Sequence, residues 1–414
     1  MKSNEDHDHR YTRALELLEQ HTGHHIDIKK IEDPAFTSVH DFNDAYKIIH
    51  ELLWKTLGTL EDDDTLLVNI SSGTPAMKSA LTVLMALREY RGKCVQVLTP
   101  VKDHNEHVEN PDYDIEEIWK NCADNNPDAE DRTRDIKVTH LVNSRDERLI
   151  KEMLQNYDYH AALKIARSID DKEVTSDYID LLEFAWKRSI MDLKGAGQIN
   201  SRLNLKLLPM QGNPMMSQFE YALCCDLKQR RGEYADFLRA LTPLFVEIFI
   251  NVISRQLNFP MHEIIDVSIN GPSWNQPRLD ELADIEGNET AINIRETLEL
   301  KYPNNFNFNG FVSSDHLCTI IRKLINNKRI VDLADTLRNN VELKLRNKAA
   351  HKMVSITGQD VKDITGLSVN KIMGHIKDLF KFSDLDISAD HEAWNSYDNL
   401  NNLIMGYMKF DRRT

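Results

Sequence analysis

Apolar positions change their period along the chain, and the changes divide it. Near the start, Leu15, Leu17 and Leu18 lie in an amphipathic stretch, Tyr11 to Gln20, that predicts a short helix. Residues 25–31 alternate polar and apolar, which predicts a strand. From Phe42 to Leu60, Ile48, Ile49, Leu52, Leu53 and Leu57 hold helical spacing. An acidic turn, Glu61 to Asp64, then leads into Leu66-Leu67-Val68-Asn69-Ile70, the pattern of a strand covered on both faces. Met77 to Tyr90 reads as a helix, Val95 to Leu98 as a strand and Ile136 to Val142 as another. The polar, acidic stretch 110–134 between them is a loop with one helix around Ile115 to Trp119. Strands alternating with helices predict an α/β domain with a mostly parallel sheet.

After Arg145 the helical period takes over, and no strand pattern returns until the 260s. Leu149–Tyr157, Tyr159–Ile169, Ser176–Met191 and Met215–Arg231 read as amphipathic helices. Lys194 to Pro214, with three glycines and two prolines, reads as a linker. The long apolar run Phe237 to Leu257 carries Arg239, Pro243, Glu247 and Arg255, so it predicts a buried core helix broken or kinked at Pro243 rather than a membrane span. Asn270 to Ala291 looks loop-like, and helices resume at Asp315, with two more over Val361–Phe382 and Ala393–Met408. The fold class is therefore α/β followed by all-α. The expected domains are 1–142, a helical connecting segment 143–213, and a helical domain 214–414.

Two stretches carry candidate chemistry. The first is Ser71-Ser72-Gly73-Thr74-Pro75-Ala76-Met77-Lys78, where a strand turns into a helix. Thr74 suits the N-cap and Pro75 the first helical position, while Gly73 lets a ligand approach the backbone. Such a helix N-terminus at the carboxyl end of a sheet favours anions and nucleotides. No G-K-[ST] or G-x-G-x-x-G pattern is present, so hydroxyls and backbone amides would do the holding. The second stretch is a helical stripe, Ile330, Leu333, Leu337, Val341 and Leu345, that ends on Arg346, Asn347 and His351. Arginine forks onto phosphate and imidazole moves protons near neutral pH. On an ideal helix these two side chains point about 140° apart, so they share a site only if the helix bends or begins there, or if a second chain completes it. The bare spacing is expected about once by chance. Its setting is more specific: nine Lys/Arg against three acids from Arg322 to Lys352.

That island stands out because the chain as a whole carries a formal charge of −15. Such acidity argues against a protein that coats nucleic acid non-specifically, but not against a local basic groove. With 414 residues and 41% apolar content, two or three domains are expected. The opening residues lack the apolar core of a signal peptide. Five cysteines, none in a C-x-x-C pair, read as reduced thiols of a cytoplasmic protein, with neither a zinc site nor a disulfide framework.

Together V-N-I-S-S-G-T-P-A-M-K-S-A-L near the front and L-R-N-K-A-A-H in a helical second half resemble the ancillary ribonucleases of type III CRISPR systems, the III-A branch in particular. Those proteins join a Rossmann-like CARF domain, which senses cyclic oligoadenylate, to a HEPN ribonuclease domain. The resemblance implies that Arg346, Asn347 and His351 are catalytic, that no metal cofactor is used, and that single-stranded RNA is cut by its own 2′-hydroxyl at a site composite across a homodimer. It implies that Ser71, Ser72, Gly73, Thr74, Gln96, Thr99 and His104 contact the activator, a six-adenylate ring rather than a four-adenylate one. It further implies that Thr74 and His104 could serve a slow cleavage of that ring. One departure is that the chain starts at what resembles the second helix of the CARF domain, so its first β-α unit is expected to be absent. Neither a membrane nor stable DNA binding is expected. The alternatives are a non-catalytic CARF-type sensor that regulates transcription or a partner protein, and a helical scaffold in which Arg346 and His351 are surface residues.

Overall fold

The computed structural model describes residues 5–30, 38–58, 60–61, 64–87, 92–98, 114–126, 128–136, 139–169, 174–268, 270–303, 306–344 and 355–408. They form two compact units, Met1–Arg145 and Asp146–Thr414.

The front unit contains α1 (Glu5–Thr22), α2 (Phe42–Leu57), β1 (Leu66–Asn69), α3 (Pro75–Ala86), β2 (Gly92–Val97), α4 (Ile115–Asn121) and β3 (Thr133–Asp135). β2 is central: it pairs in parallel with β1, Asn69 opposite Val95, and antiparallel with β3, Val97 opposite Thr133. The sheet is thus small and mixed rather than mostly parallel. Val68, Ile70 and Cys94 bury against Ala45 and Ile49 of α2 and Ala76, Ala80 and Leu84 of α3. Leu67 points the other way and is 61% exposed, so β1 is covered on one face where its apolar run predicts two. The short period-2 stretch at 25–31 forms no strand among its described residues. Instead Glu19 takes His25 Nδ1 at 2.9 Å, and its other oxygen accepts the Ile26 N–H at 3.4 Å, which folds the segment back on α1. The strand expected at Ile136–Val142 lies earlier, at β3, and helix α5 (Thr139–Gln155) takes its last four residues.

The second unit opens with α5, α6 (Tyr159–Ser168), α7 (Ser176–Ser189) and α8 (Leu193–Leu203). α8 occupies the first half of the expected linker, and residues 204–214 are turns and coil. Asp192 caps α8 through the Gly195 N–H, and a Cβ at Gly195 would meet that same carboxylate at 2.4 Å. Here glycine serves close approach rather than looseness. α9 (Met216–Arg230) and α10 (Tyr234–Leu257) follow, and α10 runs through Pro243 as one helix. It is long and apolar enough to cross a membrane, yet Phe237, Leu241, Phe245, Phe249 and Val252 are buried in the core. A hairpin follows: β4 (Ile265–Ser268) lies in the 260s, where the strand pattern returns, while β5 (Gly271–Trp274) and α11 (Gln276–Asp280) fall in the stretch read as a loop. α12 (Glu289–Lys301), α13 (Ser314–Leu324) and α14 (Lys328–Asp335) precede a π-helical turn, Thr336–Glu342. α15 (Gly358–Thr365), α16 (Val369–Phe380) and α17 (Ser396–Gly406) complete the unit.

One hydrophobic core spans Ile150 to Met408, so the early helices and the late ones are not separately packed. At its centre Arg188 of α7 is fully buried and forks onto Glu220 of α9, at 2.7 and 3.0 Å, both side chains at 0% exposure. Arg188 also donates to Ser396 and lies 4.1 Å from the centroid of the Tyr397 ring, which ties α17 to the pair. Removing one partner would strand a charge in a low-dielectric interior. Glu220→Ala should therefore destabilise the chain by about 3–5 kcal/mol, read as a lower urea midpoint. Arg202→Ala, which breaks a forked pair between an exposed arginine and the half-buried Asp180, should lower that midpoint far less.

Candidate functional site

The strand-to-helix turn of the front unit is built as a cradle at the carboxyl ends of β1 and β2. Thr74 has extended backbone, caps α3 by accepting the Met77 N–H at 3.3 Å, and donates its hydroxyl to the Val39 carbonyl. Ser71 extends the β1–β2 ladder past its last backbone bond. Its Oγ accepts the Val97 N–H at 2.7 Å and donates to Asn69 Oδ1 at 2.5 Å. Asn69 also accepts the Ser71 N–H at 2.9 Å, an Asx-type turn that sets the direction of the loop. Gly73 sits at φ +109°, a conformation open to glycine and strained for any other residue.

This geometry divides the four predicted turn residues by role. Ser71 and Thr74 spend their hydroxyls holding the turn in shape. Ser72 and Gly73 are exposed, and among the described residues the Ser72 hydroxyl and the Gly73 amide carry no hydrogen bond. Gln96, one residue before Val97, is exposed at the end of β2, so the structure brings it to the same edge. Thr99 and His104 lie outside the described residues. Two residues escaped the sequence reading. Asn69 is an organiser of the turn, signalled by a lone amide in an apolar run two positions before a serine. Lys78 places its Cγ 4.0 Å from where a Gly73 Cβ would stand, with no ion-pair partner among the described residues. A lysine one turn into a capped helix N-terminus was the available signal, and it adds a full charge to the helix's partial one.

Arg346, Asn347 and His351 lie outside the described residues, and what the structure gives is their flanks. On the upstream side Leu337, Val341 and Glu342 are all buried. An i→i+5 turn is wide enough to put positions four and five apart on one face, which an α-turn does less well. Glu342, 5% exposed, accepts the Ser314 hydroxyl. Arg338 lies between Asp315, at 3.5 Å, and Glu342, at 3.7 Å, and Tyr302 donates to Asp315 at 2.6 Å. Burial and the Asp315 carboxylate push the Tyr302 hydroxyl up to about 12. The basic island is thus partly neutralised: Arg322 pairs with Asp335 and Arg329 with Asp378 as well. Lys323, Lys328 and Lys344 remain exposed. Downstream, Thr357 and Asp360 form a reciprocal capping box that starts α15. Among the described residues no group of three or more His, Cys, Asp or Glu side chains is arranged to hold a metal ion.

His316 has Trp274 and Ser313 donating to its Nδ1, both at 3.3 Å, and burial lowers its pKa; burial lowers that of His375 on α16 too. Below about pH 6.5 the unfolded chain takes up protons that these folded histidines resist, so stability falls as pH falls from there until the folded pKa values are reached. Urea midpoints measured from pH 7.5 to 5.5 should drop, and less steeply in a His316→Asn/His375→Asn variant. A second expectation separates the two serines. Ser71→Ala should cost about 0.5–1.5 kcal/mol through the lost Val97 bond, and Ser72→Ala should be neutral in the same denaturation assay.

Three family models match successive parts of the chain: a Csm6 CARF domain over residues 27–133, a CRISPR-associated protein Csm6 6H domain over 141–189 and a Csm6 HEPN domain over 207–405. A CRISPR system endoribonuclease Csm6 of Mycobacterium tuberculosis is 25% identical over 405 residues, covering 97% of this chain and 87% of the relative. A CRISPR system endoribonuclease Csm6′ of Streptococcus thermophilus is 23% identical over 395 residues, 91% of this chain and 82% of the relative. The solved structure of Enterococcus italicus Csm6 bound to cyclic hexa-2′-fluoro-hexa-dAMP aligns at a TM-score of 0.62 with 17% identity, over 90% of this chain and 82% of that one.

Proposed function

Since the chain belongs to the Csm6 family of type III CRISPR ancillary ribonucleases, we propose that it is an endoribonuclease switched on by cyclic oligoadenylate. The observation that carries this is the order of the three matches, CARF, 6H, HEPN, on a chain whose front unit presents a capped strand-to-helix turn. The sensor is residues 1–142, the connecting helices 143–213 and the nuclease 214–414. In the sensor, Ser72, the Gly73 backbone and Lys78 face the activator's phosphates, Gln96, Thr99 and His104 its bases and sugars, and Ser71 and Thr74 hold the cradle. A six-adenylate ring is the favoured activator, in keeping with the ligand of the Enterococcus relative.

In the nuclease, His351 handles protons while the substrate's 2′-oxygen bonds to the adjacent phosphorus and the bond to the 5′-oxygen breaks. The products are a cyclic 2′,3′-phosphate and a 5′-hydroxyl. Arg346 balances the charge of the crowded phosphorane, and Asn347 completes the polar set. The angular separation of Arg346 and His351 is met by a site shared across a two-fold homodimer. The activator drives cleavage only through its greater affinity for the active conformation, so weaker contacts at the turn mean weaker activation.

The test is RNA cleavage with and without cyclic hexa- and tetra-adenylate. His351→Ala should lower the activated rate by about 10²–10⁴-fold with dimerisation and unfolding midpoint unchanged, and wild-type cleavage should persist in EDTA. Full activity in His351→Ala, or loss in chelator that magnesium restores, would overturn the mechanism. Lys78→Ala should raise the activator concentration needed for half-maximal cleavage. It is a cleaner probe than any Gly73 variant, whose backbone strain would act whether or not a ligand binds there.

A further inference from the structure

A cavity of about 580 Å³ opens in the second unit between the end of α9, the start of α10 and the middle of α16. Its size lies within the range of small-ligand sites. One wall is Gly374, inside α16. Glycine weakens a helix interior relative to alanine, so its presence calls for a reason. Neither usual reason holds here: its φ is not positive, and a Cβ would meet nothing within 4 Å. What the missing side chain does is leave the cavity open.

The lining is polar but almost electroneutral. Asp226, 3% exposed, takes Lys377 at 3.2 Å and Arg230 at 2.9 Å, and Arg230 also pairs with Asp398 at 2.8 Å. Asp398 lies outside the lining, but with it two carboxylates answer the two cations, which does not suit a polyphosphate. The rest of the lining is the Tyr234 ring, Met373 and the amides of Gln229 and Asn370. Gln229 gives its N–H to Asp226 at 3.1 Å and keeps its carbonyl, while the Tyr234 and Asn370 side chains have no hydrogen bond among the described residues. A π-face beside groups that both donate and accept is the chemistry that takes an unpaired nucleobase. The place is also apt. Gly358, seven residues after His351, lies against Tyr234, with 3.5 Å from its Cβ position to the ring.

We propose that this cavity receives one base of the single-stranded RNA substrate, stacked on Tyr234 and read at its edge by Gln229 and Asn370. The identity of the ligand rests on the nuclease reading above. The full chain, supplied with cyclic hexa-adenylate and in parallel with cyclic tetra-adenylate, is titrated with a fluorescent, uncleavable 2′-O-methyl oligonucleotide and, separately, assayed for cleavage. Gly374→Leu projects a side chain into the cavity and favours the helix, so its melting temperature should match or exceed that of wild type. Its oligonucleotide affinity should fall, and its KM rise, by about tenfold with kcat unchanged. Tyr234→Leu should do the same, and Asn370→Ala should change the base preference at one position of the cut site. Wild-type affinity in both Gly374→Leu and Tyr234→Leu would overturn the proposal. So would failure of the wild type to bind the oligonucleotide, or equal competition by free adenosine monophosphate, which would make the cavity a mononucleotide site. Failure of the nuclease reading looks different: the oligonucleotide binds in the cavity and the wild-type chain cuts no RNA.

Discussion

The buried pair of Arg188 and Glu220 is the constraint on which the second unit turns. Two ions taken fully out of water are tolerable only in close geometry with further hydrogen bonds. The forked contact, the Ser396 hydroxyl and the face of Tyr397 supply that geometry. Each partner comes from a different helix, α7, α9 and α17, so the pair can form only when these helices are in register. The 6H-like and HEPN-like matches consequently share one core. Tyr159 and Asn401 repeat the device nearby: the tyrosine donates to the Asn401 carbonyl oxygen, and the amide donates to Leu154. The π-turn Thr336–Glu342 shares that core through Leu337 and Val341, and its wide geometry persists only where its surroundings hold it.

The front unit solves a different problem with smaller means. A three-stranded sheet has little core to hold the Ser71–Thr74 turn still, and here the turn is held by hydroxyls. Ser71 replaces a backbone acceptor at the end of the β1–β2 ladder and Thr74 bridges to Val39. The positions next to them, Ser72 and Gly73, can then stay unsatisfied and open. Such support suits the activator contact proposed above, since a turn already held in shape leaves little to order on binding.

Much of this was legible from residues alone. The apolar stripes placed most helices, because a stripe must be buried whatever it packs against. Thr74 and Pro75 marked the start of α3 because capping is a local property of the backbone. The order α/β then all-α followed from the change in period, and the two motifs pointed to the family.

Other features depended on what lay opposite in space. The strand expected at Ile136–Val142 became β3 and α5, since strand placement follows the partner strand more than propensity. Lys194 to Pro214 looked loose because glycine signals both a turn and a close approach, and only the Asp192 carboxylate beside Gly195 distinguishes them. The basic island counted as nine charges in sequence, yet Asp315 and Asp378, outside or across from it, neutralise part of it. Ser71 and Ser72 are indistinguishable as neighbours in a chain; one faces the Val97 amide and the other faces out, a difference set by strand pairing. Sequence determines what each side chain is able to do, and tertiary contact determines which of those capacities is already used.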